Sequence, residues 1–209
     1  MRRAQFENGE YYHIFNRGTD KRKIFLDRSD YFRFLKSLKE FNQEEPVISL
    51  YIKDQLKSKL VGVRPLQEDG LVEIVALCLL PNHFHLILKQ IKSGGISEFM
   101  KRLGCGFTGF FNHKHKRSGV LFQGKFKSIH IDSNEYLLYL SAYVNGNHKV
   151  HNVKKSKVIN SFDLMNSGLI DMGIILNDFE DVKSYKDYVI TTSSEVGKIR
   201  EELKEYSIE

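Results

Sequence analysis

Residues 71–90 read "LVEIVALCLLPNHFHLILKQ", two apolar runs separated by Pro81-Asn82. Short apolar runs bounded by turn residues belong in the interior of a sheet. The segment therefore reads as a buried antiparallel hairpin: one strand to Leu80, a tight turn, and a second strand from His83 to Gln90. Such a strand has little use for polar side chains, yet it opens with His83 and His85. Strand residues i and i+2 share a face while i+1 points the other way. The two imidazoles project together, with Phe84 on the opposite side. Two imidazoles among apolar neighbours are costly without a partner, and neutral imidazole is the commonest metal ligand in proteins. A divalent ion would still need a third ligand, ideally an oxygen donor if it is Mg²⁺ or Mn²⁺.

The rest of the chain supplies partners for the hairpin. "EYYHIFNRG" alternates aromatic and polar residues and stops at Gly18, as a first strand does. A helix capped by Ser29 or Asp30 follows, with Tyr31, Phe34, Leu35, Leu38 and Phe41 on one face. Residues 43–70 read as an insertion of undefined structure ending at an Asp-Gly turn signal. After the hairpin, "GGISEFMKRLGCGFTGFFNHKHK" carries an apolar helical stripe, weakened locally by Gly104 and Gly106. "VLFQGKFKSIHI" resumes strand-like alternation, and Asp132 or Ser133 caps a third helix, "NEYLLYLSAYVNGN". The order β-α-β-β-α-β, then α, predicts an α+β fold with an antiparallel sheet and its helices on one face. Residues 1–150 form the expected domain, and 151–209 a largely helical C-terminal extension.

The totals exclude several classes. The 209 residues, 41% hydrophobic and 28% charged, describe a folded domain rather than a disordered chain. No apolar run reaches the roughly 18 residues of a membrane span, and "MRRAQFENGE" has no apolar signal core. A cytoplasmic protein without a membrane partner is expected. Cys78 and Cys105 have no metal-ligand spacing, and Cys78 reads as a small buried hydrophobe. The net charge is +6, and its distribution is more telling. Between Phe99 and Ile131 there is no Asp or Glu, while Lys101, Arg102, Lys114, Lys116, Arg117, Lys125 and Lys127 fall there among phenylalanines. A one-sign stretch interleaved with aromatics points to phosphate contacts. The pair His113 and His115 lies between lysines near a helix end, where i and i+2 do not share a face, and reads as part of that basic surface.

The third helix offers the histidines a companion. Tyr136, Tyr139 and Tyr143 return to one helical face, and only Tyr143 has a metal-capable residue one turn further on, Asn147. Tyr143 and Asn147 would present a nucleophile and an oxygen ligand side by side.

Four stretches in order, "YYHIFNRGTDKRKIF", "LLPNHFHLIL", "FFNHKHKRSGVLFQGKFKS" and "EYLLYLSAYVNGN", resemble the single-tyrosine HUH transposases. Among these they look most like the REP-associated tyrosine transposases, over roughly residues 9–150. The resemblance implies a ferredoxin-like or RRM-like sheet, His83 and His85 as metal ligands, Tyr143 as nucleophile and Asn147 as a further ligand. It also implies Mg²⁺ or Mn²⁺ as cofactor and single-stranded or hairpin DNA as partner, with Arg17 and the seven basic residues above as DNA contacts. Some relatives act as homodimers and others as monomers. The implied activity is DNA cleavage and strand transfer through a 5′-phosphotyrosine; a host-retained, catalytically silent hairpin-binding protein is the alternative. A histidine-triad hydrolase would want a further histidine at position 87, which is Ile. The chain departs from the family where Asn147 is followed by His148 instead of Pro. Gly146 beside it, costing about 1 kcal/mol in a helix interior, argues for a helix that ends before Asn147.

Overall fold

The computed structural model describes residues 6–45 and 70–205. The insertion expected over 43–70 lies outside the described residues except at its ends. Among the described residues, five strands form one antiparallel sheet: β1 (Tyr11–Arg17), β2 (Val72–Leu80), β3 (His83–Gln90), β4 (Lys127–Ile131) and β5 (Ile159–Asn160), ordered β4-β1-β3-β2-β5. The α-helices among the described residues are α1 (Arg28–Phe41), α2 (Gly95–Lys114), α3 (Asn134–Val150), α4 (Gly173–Leu176) and α5 (Val182–Glu205). The α+β fold with the order β-α-β-β-α-β, then α, is as the sequence predicts.

Register decides what each sheet face carries. β1 runs against β3 with Arg17 opposite His83, Phe15 opposite His85 and His13 opposite Ile87. On its other side Phe15 pairs with Lys127 and His13 with Ile129 of β4. Paired residues share a face, so His13, Phe15, Arg17, His83, His85 and Lys127 line one side. Ile14, Phe84 and Leu86 line the other, and there α1 and α2 pack. Phe34 of α1 meets Phe84 at 5.2 Å and Phe107 of α2 at 5.0 Å between ring centroids. Phe34, Phe107 and Phe84 are buried, each contributing on the order of 1.5–3 kcal/mol of apolar transfer energy. The histidine face is covered by α3, which contacts β2, β3 and β4, and α5 packs on α3 in turn. The first two helices thus share one face, and the third lies across the sheet from them.

Three local expectations change. The cap of α1 is Asp27, not Ser29 or Asp30. Its carboxylate accepts from the Ser29 and Asp30 amides at 2.9 and 3.2 Å, while Asp30 accepts back from the Asp27 amide in a capping box. β4 begins at Lys127 instead of Val120, because Gly124 takes a positive φ of 70° and the chain before it turns. Phe122 keeps only a single bridge to Gly18. Finally, α3 is capped by Ser133, whose Oγ accepts from the Tyr136 amide at 3.2 Å, and runs straight through Gly146 and Asn147 to Val150. The glycine is there for space: a Cβ at 146 would lie 2.5 Å from the Cβ of Ser193 on α5.

The C-terminal segment is stitched to the same helix by a buried polar network. The Asn145 amide nitrogen donates to the Ser141 carbonyl at 3.1 Å and to the Tyr185 hydroxyl at 2.9 Å. The Tyr185 hydroxyl donates to Ser141 Oγ at 3.0 Å. Asn145 Oδ1 accepts from the Ser161 amide at 3.1 Å, and Ser161 Oγ accepts from the Leu77 amide of β2 at 2.9 Å. Each donor that burial removes from water is thereby repaired. Among the described residues, no helix is long and apolar enough to cross a membrane.

Candidate active site

The turn that starts β3 is clamped from outside. The Ile24 and Phe25 amides donate to the Pro81 carbonyl at 2.7 and 3.0 Å, and the Gly18 amide to the Asn82 carbonyl at 2.8 Å. Asn82 Nδ2 donates to the Lys21 carbonyl at 3.2 Å, which turns its Oδ1 toward His83 Nδ1 at 2.7 Å. A carboxamide oxygen only accepts, so His83 Nδ1 carries a proton. In the neutral ring Nε2 then holds the lone pair. That atom faces Asn147 Oδ1 of α3 at 3.2 Å.

His85 is buried, and its Nδ1 lies 2.9 Å from Nε2 of buried His13 on β1. Burial pushes the His13 imidazole down to about 4. Burial likewise holds His85 well below its ordinary range, with His13, His83 and His151 adding to the effect. Both rings are neutral near pH 7, the form that ligates metals. The His83 and His85 rings meet edge to face at 5.2 Å. Tyr143 stands over them from α3, its ring 5.7 Å from His85 and perpendicular to it, and 6.4 Å from His13. Of the three tyrosines on that helix, Tyr143 is the one in ring contact with histidines among the described residues.

His83, His85, Tyr143 and Asn147 therefore converge on one face of the sheet. The donor set suits a divalent ion: two neutral imidazoles and an amide oxygen. Asn147 adds a structural reason. It is fully buried, its Nδ2 has no hydrogen-bond partner, and its Oδ1 lies 3.2 Å from His83 Nε2. With His83 neutral, that nitrogen and oxygen are both acceptors and can share a cation. Two further histidines were missed from sequence. His13 reaches His85 from β1, and His151, one turn beyond Asn147, lies 4.8 Å from the His83 ring. His13 sits two positions from Phe15 in an alternating strand, so its face was readable, but its partner depended on the β1–β3 register.

A second grouping of ligand-type residues, Asp27, Asp30 and His115, lies between the start of α1 and the end of α2. Lys114 Nζ already occupies it, 2.7 Å from both carboxylates, and His115 Nε2 is 3.0 Å from Asp30. It is a structural ion pair, and His115 belongs to it and not to the open basic surface.

The basic residues divide by position. Arg17 and Lys127 share the histidine face, Arg17 held by Gln123. Lys101 and Lys125 line a groove of about 1020 Å³ between α2 and residues 120–128, with Phe122 and Phe126, on the opposite face. Lys116 is exposed beyond the end of α2. Several have intramolecular partners: Lys101 lies 3.3 Å from Glu98, Lys114 is engaged as above, Arg102 bonds Glu98 and the carbonyls of Gln43, Glu44 and Glu45, and Arg117 bonds Asn112 and the Val120 carbonyl.

The fold thus sets paired histidines on a sheet beneath a helical tyrosine. The chain belongs to the IS200-like transposase family, whose model matches residues 40–147. The resemblance read from the motifs is thus borne out at the level of the family. A solved structure described as a REP-associated tyrosine transposase bound to a REP hairpin aligns at 17% identity with a TM-score of 0.49, over 82% of this chain and 88% of that one. No curated protein matches significantly.

Proposed function

We propose that the chain is a metal-dependent single-strand DNA endonuclease and strand transferase acting through a 5′-phosphotyrosine on Tyr143. The observation that carries this reading is the convergence of Tyr143 with His83, His85 and Asn147 on one sheet face. Family membership supports the same class of reaction. His83 Nε2, His85 and Asn147 Oδ1 would hold Mg²⁺ or Mn²⁺, which supplies polarisation of a phosphoryl oxygen and charge stabilisation.

The chain's own residues do the remainder. Tyr143 loses its phenolic proton and its oxygen bonds to phosphorus as the bond to the 3′ oxygen breaks; the departing 3′ oxygen takes up a proton. The linkage remains a phosphodiester, so a second 3′-hydroxyl can attack it, rejoin DNA and return the tyrosine. Arg17 and Lys127, on the same face, suit the backbone beside the scissile phosphate. Lys101 and Lys125 with Phe122 and Phe126 suit single-stranded or hairpin DNA by charge and base stacking.

The test is incubation of the chain with end-labelled single-stranded and hairpin DNA in Mn²⁺. A covalent protein–DNA band that is lost in Tyr143→Phe and on chelation is the expected outcome. Tight binding with no adduct on any substrate would replace this reading by that of a hairpin-binding module.

A further inference from the structure

Both candidate ligand histidines are gripped at Nδ1. For His83 the grip is Asn82 Oδ1 at 2.7 Å; for His85 it is His13 Nε2 at 2.9 Å, with the two ring planes 19° from parallel. The His13–His85 contact is buried, so water does not stand in for either ring. One proton lies between the two nitrogens, and either ring can carry it. If His13 donates it, the remaining proton of neutral His85 sits on Nε2, and that atom cannot bind a cation. If His85 donates it, His85 Nε2 is free and His13 keeps its own proton on Nδ1. His13 Nδ1 has no hydrogen-bond partner, so no neighbouring group dictates the tautomer of His13 from outside. The choice is made within the pair.

We propose that His13 is a positioning residue for the metal centre: it accepts the Nδ1 proton of His85, fixing that ring's orientation and turning its Nε2 lone pair outward as a ligand. The inference rests on the reading of His83 and His85 as metal ligands. It gives His13 of β1 the role that Asn82 has toward His83. A carboxylate in the same place would bury a charge against the apolar strands; a neutral imidazole orients without one. Hydrogen bonding of a ligand histidine through its second nitrogen fixes its tautomer and raises its basicity.

The experiment measures Mn²⁺ binding to the full chain without DNA, by the electron paramagnetic resonance of free Mn²⁺. His13→Phe keeps the ring but removes the acceptor, and should weaken binding roughly ten- to a hundredfold while the thermal midpoint stays within a few degrees. His13→Gln, whose side-chain oxygen can accept, should restore most of the loss. Unchanged affinity in His13→Phe, alongside lost affinity in His85→Ala, would overturn the inference and leave the metal site intact. Failure of the unaltered chain to bind Mn²⁺, or no effect of His85→Ala, would instead remove the reading beneath it. Should His13→Phe not fold, imidazole ¹⁵N shifts of the unaltered chain with saturating Mg²⁺ decide: the proton of His85 is expected on Nδ1, and a proton on Nε2 rules the proposal out.

Discussion

At the scale of single residues, the fold places charge and proton by different means in two unrelated spots. In the site, burial keeps His13 and His85 neutral. At the start of α1, hydrogen bonds from Lys114 and then Ser29 hold the Asp27 carboxyl well below the usual carboxylate range. A carboxyl depressed in the folded state makes folding more favourable above its unfolded pKa of about 4 and loses that contribution as pH falls. Lys114→Met should therefore lower the thermal midpoint at pH 7, and the gap to the unaltered chain should narrow as pH drops below about 4; melting curves between pH 2.5 and 7 measure it. The same cluster shows what the sequence could not disclose. The acid-free stretch from Phe99 to Ile131 was legible as basic, but the acids that engage Lys114 lie far earlier in the chain. Only the packing of α1 on α2 brings them together. The hairpin histidines were legible because period-two alternation is local; the His13–His85 contact was not, because it needs a register between strands far apart in sequence.

At the scale of elements, Gly146 separates local propensity from tertiary fit. Read locally it is a helix breaker before Asn147. In the fold, α3 continues because α5 lies so close at Ser193 that nothing larger than hydrogen fits. Gly146→Ala should raise intrinsic helix propensity by about 1 kcal/mol, yet destabilise the protein by roughly 1–3 kcal/mol through overpacking, as read by urea unfolding. A gain in stability would show that α5 yields easily. The α1 cap was ambiguous for a different reason: Asp27, Ser29 and Asp30 are all good capping residues, and composition alone could not choose among them. The late start of β4 turns on the conformation of one glycine, Gly124, which alternation does not register.

At the scale of the whole molecule, the C-terminal segment completes the architecture. β5 adds to β2, while Asn145 ties α3 to both Ser161 and Tyr185. Tyr185→Phe removes a hydroxyl that serves Asn145 and Ser141 at once, and should cost about 1–3 kcal/mol with a matching fall in the thermal midpoint. The segment's helices could be read from sequence, but their docking on α3 could not, because the polar groups that specify it are scattered along the chain.

That docking bears on reaction order. Because α5 braces α3 over the sheet of its own chain, Tyr143 and the histidines it faces belong to one molecule. Formation of the DNA adduct should then be first order in protein, with a rate per chain unchanged on tenfold dilution under saturating DNA. Rejoining needs a second 3′-hydroxyl to reach the adduct, so any steeper concentration dependence should arise there, after the first cut.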